Sequence, residues 1–227
     1  MAGPTDELSR RQFVGGAAVA ASVIAGGVPV RTSAQSLALR ETADLITGPF
    51  YPRVRPMDRD ADLTHVRGRS ARAAGQIIQL SGRLLTVRGT PVADASIEVW
   101  QANAQGRYSH PSDSNNQLPL DPNFQGYAQL RTDRDGRYRF TTVKPGAYPT
   151  PRGDMRAPHI HFQIDATVDR KVTQLFFPGE PLNDQDRHLQ SVRRPETLIA
   201  TIDNAAGENV RGSSLLIAHW NIVLTSG

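Results

Sequence analysis

Seven short runs with strand-like patterning, each bounded by turn residues, limit this chain to one kind of fold. They cover residues 76–87, 95–102, 126–132, 137–143, 159–166, 171–177 and 214–224. Between them stand Arg88-Gly89-Thr90-Pro91, Asp135-Gly136 and Pro145-Gly146, dipeptides and turns that stop a strand. The 3.6-residue period of a helix is weak throughout, and only "PLNDQDRHLQSV" (181–192) reads as a short helical turn. Repeated short strands with regular turns predict an all-β fold, a β-sandwich with long loops. Asp135-Gly136 between "QLRTD" and "RYRF" reads as a hairpin joining two strands. At 227 residues the chain is long enough to bury one core, and its 16 Pro and 19 Gly suit a loop-rich β protein.

Residues 76–227 are therefore assigned to the sandwich, and 35–75, polar and mixed, to an irregular N-terminal arm. Residues 1–34 read differently. Ser9-Arg10-Arg11-Gln12-Phe13 is followed by an uncharged Gly/Ala/Val run from Val14 to Val30, then by Thr32-Ser33-Ala34 before Gln35. The run is too short and too rich in glycine for a stable membrane anchor. The pattern resembles a twin-arginine signal peptide, which implies export of a folded protein to the periplasm or the exterior. The chain has no Cys, so thiolate metal sites, Cys nucleophiles and disulfides are excluded. The formal charge of +4 is scattered without a dense Lys/Arg block, which gives nucleic-acid binding no support.

In "HIHFQID", Ile160, Phe162 and Ile164 alternate with His159 and His161. Residues two apart on a strand point the same way, with Cα atoms roughly 6.5–7 Å apart, so two imidazoles can converge on one metal ion. A pair of solvated histidines on a half-exposed strand fits the same pattern. Two of the five tyrosines sit in loops: Tyr108 after Gly106-Arg107, and Tyr148 just upstream of the histidines. Tyr127 and Tyr138 lie inside strand runs and read as packing residues. Phenolate is a hard anionic donor suited to a trivalent metal, and two phenolates with two neutral imidazoles would offset most of an Fe(III) charge.

"WQANAQGRY" (100–108), residues 121–149, "RAPHIHF" (156–162) and "TQLFFPGEP" (173–181) resemble the intradiol ring-cleavage dioxygenases, and most of all the subunits of the protocatechuate 3,4-dioxygenases. The likeness runs over about residues 45–190. It rests on Gly-Arg-Tyr, Pro-Gly-x-Tyr-Pro and Arg-x-x-His-x-His in that order. The resemblance implies a β-sandwich enzyme holding non-haem Fe(III) through Tyr108 and His159 as equatorial ligands and Tyr148 and His161 as axial ones. It implies that a catechol-type substrate is cleaved with O2 between its hydroxyl-bearing carbons to a muconate-type diacid. Arg156 would stabilise charge on the ring, Gln174 would support it, and Tyr148 would also take a substrate proton. Trp100 reads either as a pocket-edge aromatic or as core.

Two features depart from the pattern. Thr150 stands where the family often has Trp, which opens the substrate assignment, and no helical N-terminal dimerisation domain precedes the sandwich. All four ligand types are present, which fits either a self-sufficient homo-oligomer or the metal-bearing partner of a related subunit. A copper site of the Tyr–Cys type is excluded for want of Cys. The non-enzymatic alternative is a transthyretin-like binding module with a degenerate metal site, since the strand, Gly-x-Pro turn and strand of residues 81–108 suit that fold as well.

Overall fold

A computed structural model describes residues 38–203, 209–210 and 213–225. The twin-arginine pattern and its expected cleavage region lie outside the described residues. The strands are β1 (Ile77–Thr86), β2 (Ser96–Trp100), β3 (Tyr127–Arg131), β4 (Arg137–Val143), β5 (Tyr148–Pro149), β6 (Met155–Arg156), β7 (His159–Asp165), β8 (Arg170–Phe176), β9 (Thr201–Asp203), β10 (Asn209–Val210), β11 (Ser213–Ser214), β12 (Leu216–His219) and β13 (Ile222–Leu224). One helix of four residues, α1 (Arg187–Gln190), follows a 3-10 turn at Pro181–Gln185, where the sequence predicts its only helical segment.

Two sheets make the expected sandwich. In one, β1 pairs antiparallel with β4 on one edge and parallel with β12 and β13 on the other, and β9 extends β12. The other has the order β3-β2-β7-β8, all antiparallel. The core lies between them, because alternate residues such as Ile78 and Leu80 of β1, Ile97 and Val99 of β2, and Ile160, Phe162 and Ile164 of β7 turn inward and are fully buried. Phe162 is central: Trp220, Phe140 and Tyr138 pack around it with ring centroids 5.0, 6.0 and 6.1 Å away. Tyr138 is the packing residue expected, its hydroxyl donating to Trp220 O at 2.7 Å.

The structure corrects two local expectations. Asp135-Gly136 does not close a hairpin between paired strands. β3 pairs with β2 and β4 with β1, so the turn carries the chain from one sheet to the other. The turn itself forms as its residues dictate: the Asp133 carboxylate accepts from the backbone N–H of Asp135 and Arg137 at 2.9 and 2.8 Å. On either side, however, Thr132 N donates to Ala95 O while Leu84 N donates to Gly136 O, so opposite sheets capture the two arms at once. The last run is also two strands rather than one. β12 and β13 keep one register on β1 but break at Trp220-Asn221, where Asn221 Oδ1 accepts from Arg83 N at 2.9 Å in place of a backbone carbonyl.

The arm, from residue 38, forms no named strand but is bonded across the sandwich. Leu39 N donates to Val87 O, Thr42 N to Val223 O, Leu45 N to Val172 O and Leu63 N to Thr141 O. It covers the outer face of the β3-β2-β7-β8 sheet, so β7 is buried on both sides. That outer face carries the site.

Candidate metal centre

Register puts four side chains in one row on the outer face. Tyr127 of β3 stands opposite Trp100 of β2, Trp100 opposite His161 of β7, and His161 opposite Gln174 of β8. His159 lies one step along the same face, beside Phe176. Both histidines are almost fully buried, which rules out a solvated pair. Their Nε2 atoms are 3.2 Å apart, and Tyr148 Oη is 3.4 Å from His159 Nε2. Tyr108 comes from the β2–β3 loop and packs edge-on to Tyr148, centroids 5.4 Å apart, and its buried hydroxyl has no hydrogen-bond partner. The four residues predicted as ligands thus come together, with the Tyr108 and His161 ring centroids 6.3 Å apart.

The protonation of the centre follows from its contacts. His159 Nδ1 lies 2.6 Å from the Ala157 carbonyl, which can only accept, so the proton sits on Nδ1 and the Nε2 lone pair faces Tyr148 and His161. Burial, with the nearby Arg156 charge, holds His159 well below the usual imidazole range; burial and His159 do the same for His161. The same burial drives the Tyr108 hydroxyl well above its ordinary value, with Tyr148 adding to it, and raises Tyr148 although Arg156 opposes this. Without a cation, then, the protein favours neutral imidazoles and protonated phenols. A metal ion at the meeting point would reverse the balance for the phenols. Among the described residues no three His, Cys, Asp or Glu side chains cluster as a metal site, so any such site here depends on the tyrosines.

His161 has no hydrogen bond at Nδ1. It is held by shape: Trp100 stacks on it with centroids 4.8 Å apart and planes 9° from parallel. Gly48 lies against its edge, where a Cβ would come within 3.4 Å of Cε1, and its φ of +74° suits glycine. Trp100 is 1% exposed and is braced by Tyr51, whose hydroxyl donates to the buried Glu98 carboxylate at 2.5 Å. It is therefore a packing wall behind the centre rather than part of the cavity that His161 and Tyr148 line.

Arg156 and Gln174 come together as expected. Arg156 Nη2 donates to Gln174 Oε1 at 2.7 Å, and Gln174 Nε2 donates to Ile46 O at 3.0 Å. The sequence reading missed what holds the other side of the guanidinium. Asp186 Oδ2 accepts from Arg156 Nε at 2.8 Å and from Ala157 N at 2.9 Å, while Oδ1 caps α1 through His188 N and Leu189 N at 3.0 and 3.1 Å. It also missed Phe50, which stacks on Tyr108 at 4.3 Å, and Asp113, whose Oδ2 accepts from Tyr108 N at 2.8 Å. A helix-capping position at Asp186 was the only one of these features visible in the sequence.

A cavity of about 580 Å³ opens in front of the centre, with His161, Tyr148, Arg156 and Thr150 among its walls. A second, of about 530 Å³, lies against Phe50, Trp100 and Tyr108 and is lined by neither ligand-type histidine.

A family model described as dioxygenase matches residues 46–226. The chain belongs to this dioxygenase family. Its relatives are intradiol ring-cleavage dioxygenases. The protocatechuate 3,4-dioxygenase beta chain of Burkholderia cepacia is 47% identical over 135 residues, which is 58% of this chain and 57% of that one. Catechol 1,2-dioxygenase 2 of Acinetobacter lwoffii is 32% identical over 154 residues, 62% of this chain and 52% of that one. The chain thus spans little more than half the length of the curated relatives it matches. Among solved structures, 3-chlorocatechol 1,2-dioxygenase from Rhodococcus opacus 1CP superimposes with a TM-score of 0.64 at 20% identity, over 85% of this chain and 75% of that one. The dioxygenase domain of a carbohydrate-binding fusion from Streptomyces sp. SirexAA-E gives 0.60 at 22%, over 83% and 100%. At these identities the superpositions speak for the shared fold alone.

Proposed function

We propose that this dioxygenase holds non-haem Fe(III) through Tyr108, Tyr148, His159 and His161 and cleaves a catechol-type ring between its two hydroxyl-bearing carbons, placing both atoms of O2 in a muconate-type diacid. The observation that carries this reading is the convergence of two imidazole Nε2 atoms 3.2 Å apart with two buried tyrosine hydroxyls, one of them without any partner. Neutral imidazoles and phenolates are donors a hard trivalent ion takes, and the chain offers no thiolate.

When bound, iron(III) supplies a Lewis acid that draws electron density from the catechol oxygens and ring. The remaining steps belong to the protein. Tyr148, as the phenolate, is the base placed to take one of the two diol protons at its Oη. His159 is fixed by Ala157 O and His161 by Trp100, so the lone pairs keep their aim. Arg156 puts a guanidinium, pinned between Asp186 and Gln174, where negative charge builds on the ring as O2 attacks. Burial of the whole group keeps water away from that charge.

Metal analysis with optical spectroscopy tests this. The protein should carry about one iron per chain with a visible tyrosinate-to-iron band. Tyr108→Phe should shift or weaken that band and loosen the iron. A colourless, iron-free protein that consumes no O2 with catechol would leave the transthyretin-like binding module as the better reading. We also read the chain as exported through its twin-arginine pattern, and as working either in a homo-oligomer or beside a related subunit.

A further inference from the structure

We infer that the cavity in front of the centre selects catechols with an uncharged ring substituent over catechols bearing a carboxylate. The inference rests on the dioxygenase reading above and adds the class of substrate.

The lining is graded by depth. His161, Tyr148 and Arg156, at 1, 5 and 5% exposure, form the floor. Ile46, Pro49, Pro151 and Asn115 are exposed and form the mouth. A ring whose diol lies at the floor points its other substituents towards that mouth, where rigid apolar side chains and a neutral amide meet them. The volume, about 580 Å³, is ample for a substituted ring.

The charges in the lining argue against an anion. Besides the floor residues His161 and Tyr148, the ionisable groups lining the cavity are Arg156, Asp113 and His188. The Arg156 charge is already matched by the fully buried Asp186, and its other bonded nitrogen is held by Gln174, the register partner of His161. That cation therefore serves the diol end of the ring. Asp113, 8% exposed, accepts from Tyr108 N and Asn116 Nδ2 and forms no ion pair among the described residues, so it leaves a negative charge in the wall. Burial and Arg156 together hold His188 towards the neutral form. Arg187, on α1 next to the cavity, faces Asp154 at 3.7 Å. A carboxylate entering this space would lose water, meet no unpaired cation among the lining residues and approach Asp113. An alkyl group of the same size would only bury apolar surface.

The test uses 4-methylcatechol and protocatechuate, which have nearly the same size and differ in charge. The iron-loaded full chain is titrated with each without O2, read by its visible band, and O2 uptake is then measured with each. We expect 4-methylcatechol to bind about tenfold more tightly or better, and Asn115→Lys to narrow the ratio by about tenfold by placing a cation at the mouth. Protocatechuate binding as tightly as 4-methylcatechol in the unaltered protein, or a ratio that Asn115→Lys leaves unchanged, would overturn the inference. The expected binding preference without O2 uptake would uphold the selectivity and sink the dioxygenase reading. Binding of neither compound would remove both.

Discussion

Asp186 holds Arg156 and Ala157 with one carboxylate oxygen and the first turn of α1 with the other, making four hydrogen bonds between 2.8 and 3.1 Å. One buried side chain therefore joins the segment that leads into the two histidines to a helix 30 residues further on. Arg156 is positioned before any substrate arrives, which is what electrostatic stabilisation of a transition state requires.

Arg156→Ala should retain iron and still bind catechol, and lose about 10²–10³ in kcat. Arg156→Lys should recover little, since an ammonium cannot bond Asp186 and Gln174 with the same planar fork. Steady-state O2 uptake with unsubstituted catechol decides the point: equal kcat values for the variant and the parent would remove Arg156 from the chemical step.

Asp186→Ala should act on stability as well as on rate. It leaves a guanidinium at 5% exposure without its anion and uncaps α1, a loss of about 3–5 kcal/mol. Urea unfolding at neutral pH measures it. A change below 1 kcal/mol would mean that water or Gln174 replaces the carboxylate.

Gly82 should tolerate no side chain. A Cβ there would lie 1.7 Å from Trp220 O and 2.7 Å from its carbonyl carbon, at the break between β12 and β13. The obstacle is backbone, so relief requires parting two strands, and Gly82→Ala should cost about 3 kcal/mol or more. A melting temperature within a degree of the parent would contradict the close approach.

Lys171 gives a pH dependence with a definite sign. Its side chain is 2% exposed and its amine reaches Asp44 and Glu41 at 2.8 and 3.0 Å. Burial lowers its proton affinity, but hydrogen bonds and charge from Asp44 and Glu41 outweigh this and raise it above that of an ordinary lysine. The folded state thus binds the proton more tightly than the unfolded chain does. The stabilisation is complete below the unfolded value and is lost as pH rises through the folded one. In urea, the parent should lose stability more steeply than Lys171→Met above about pH 10.5. Parallel curves for the two proteins would show that the amine gains nothing from its anions.

Replacing Arg10 and Arg11 with Lys should trap the protein in the cytoplasm if the N-terminal pattern is a twin-arginine signal. Fractionation of cells producing each form reads this directly, and normal export of the double variant would end the assignment.

Local pattern alone marked the long strands of the two sheets. The alternation in "HIHFQID" set which side chains face the core, because a strand's period of two is a property of the backbone, and the order of Tyr108, Tyr148, His159 and His161 marked the candidate ligands. What lay beyond the sequence depended on contacts between distant segments. Asp135-Gly136 makes the turn its residues favour, yet only the capture of Thr132 by Ala95 and of Gly136 by Leu84 decides that the turn joins two sheets. Glu98 and Lys171 sit in strand runs as ordinary charged residues, and become buried only because the arm brings Tyr51, Glu41 and Asp44 over them. Asp186 lies inside the run 181–192 that reads as a short helical turn, and its bond to Arg156 exists only after the chain has closed on itself. Periodicity is written residue by residue, whereas burial of a charge depends on which partner arrives to meet it, and that is settled by tertiary packing.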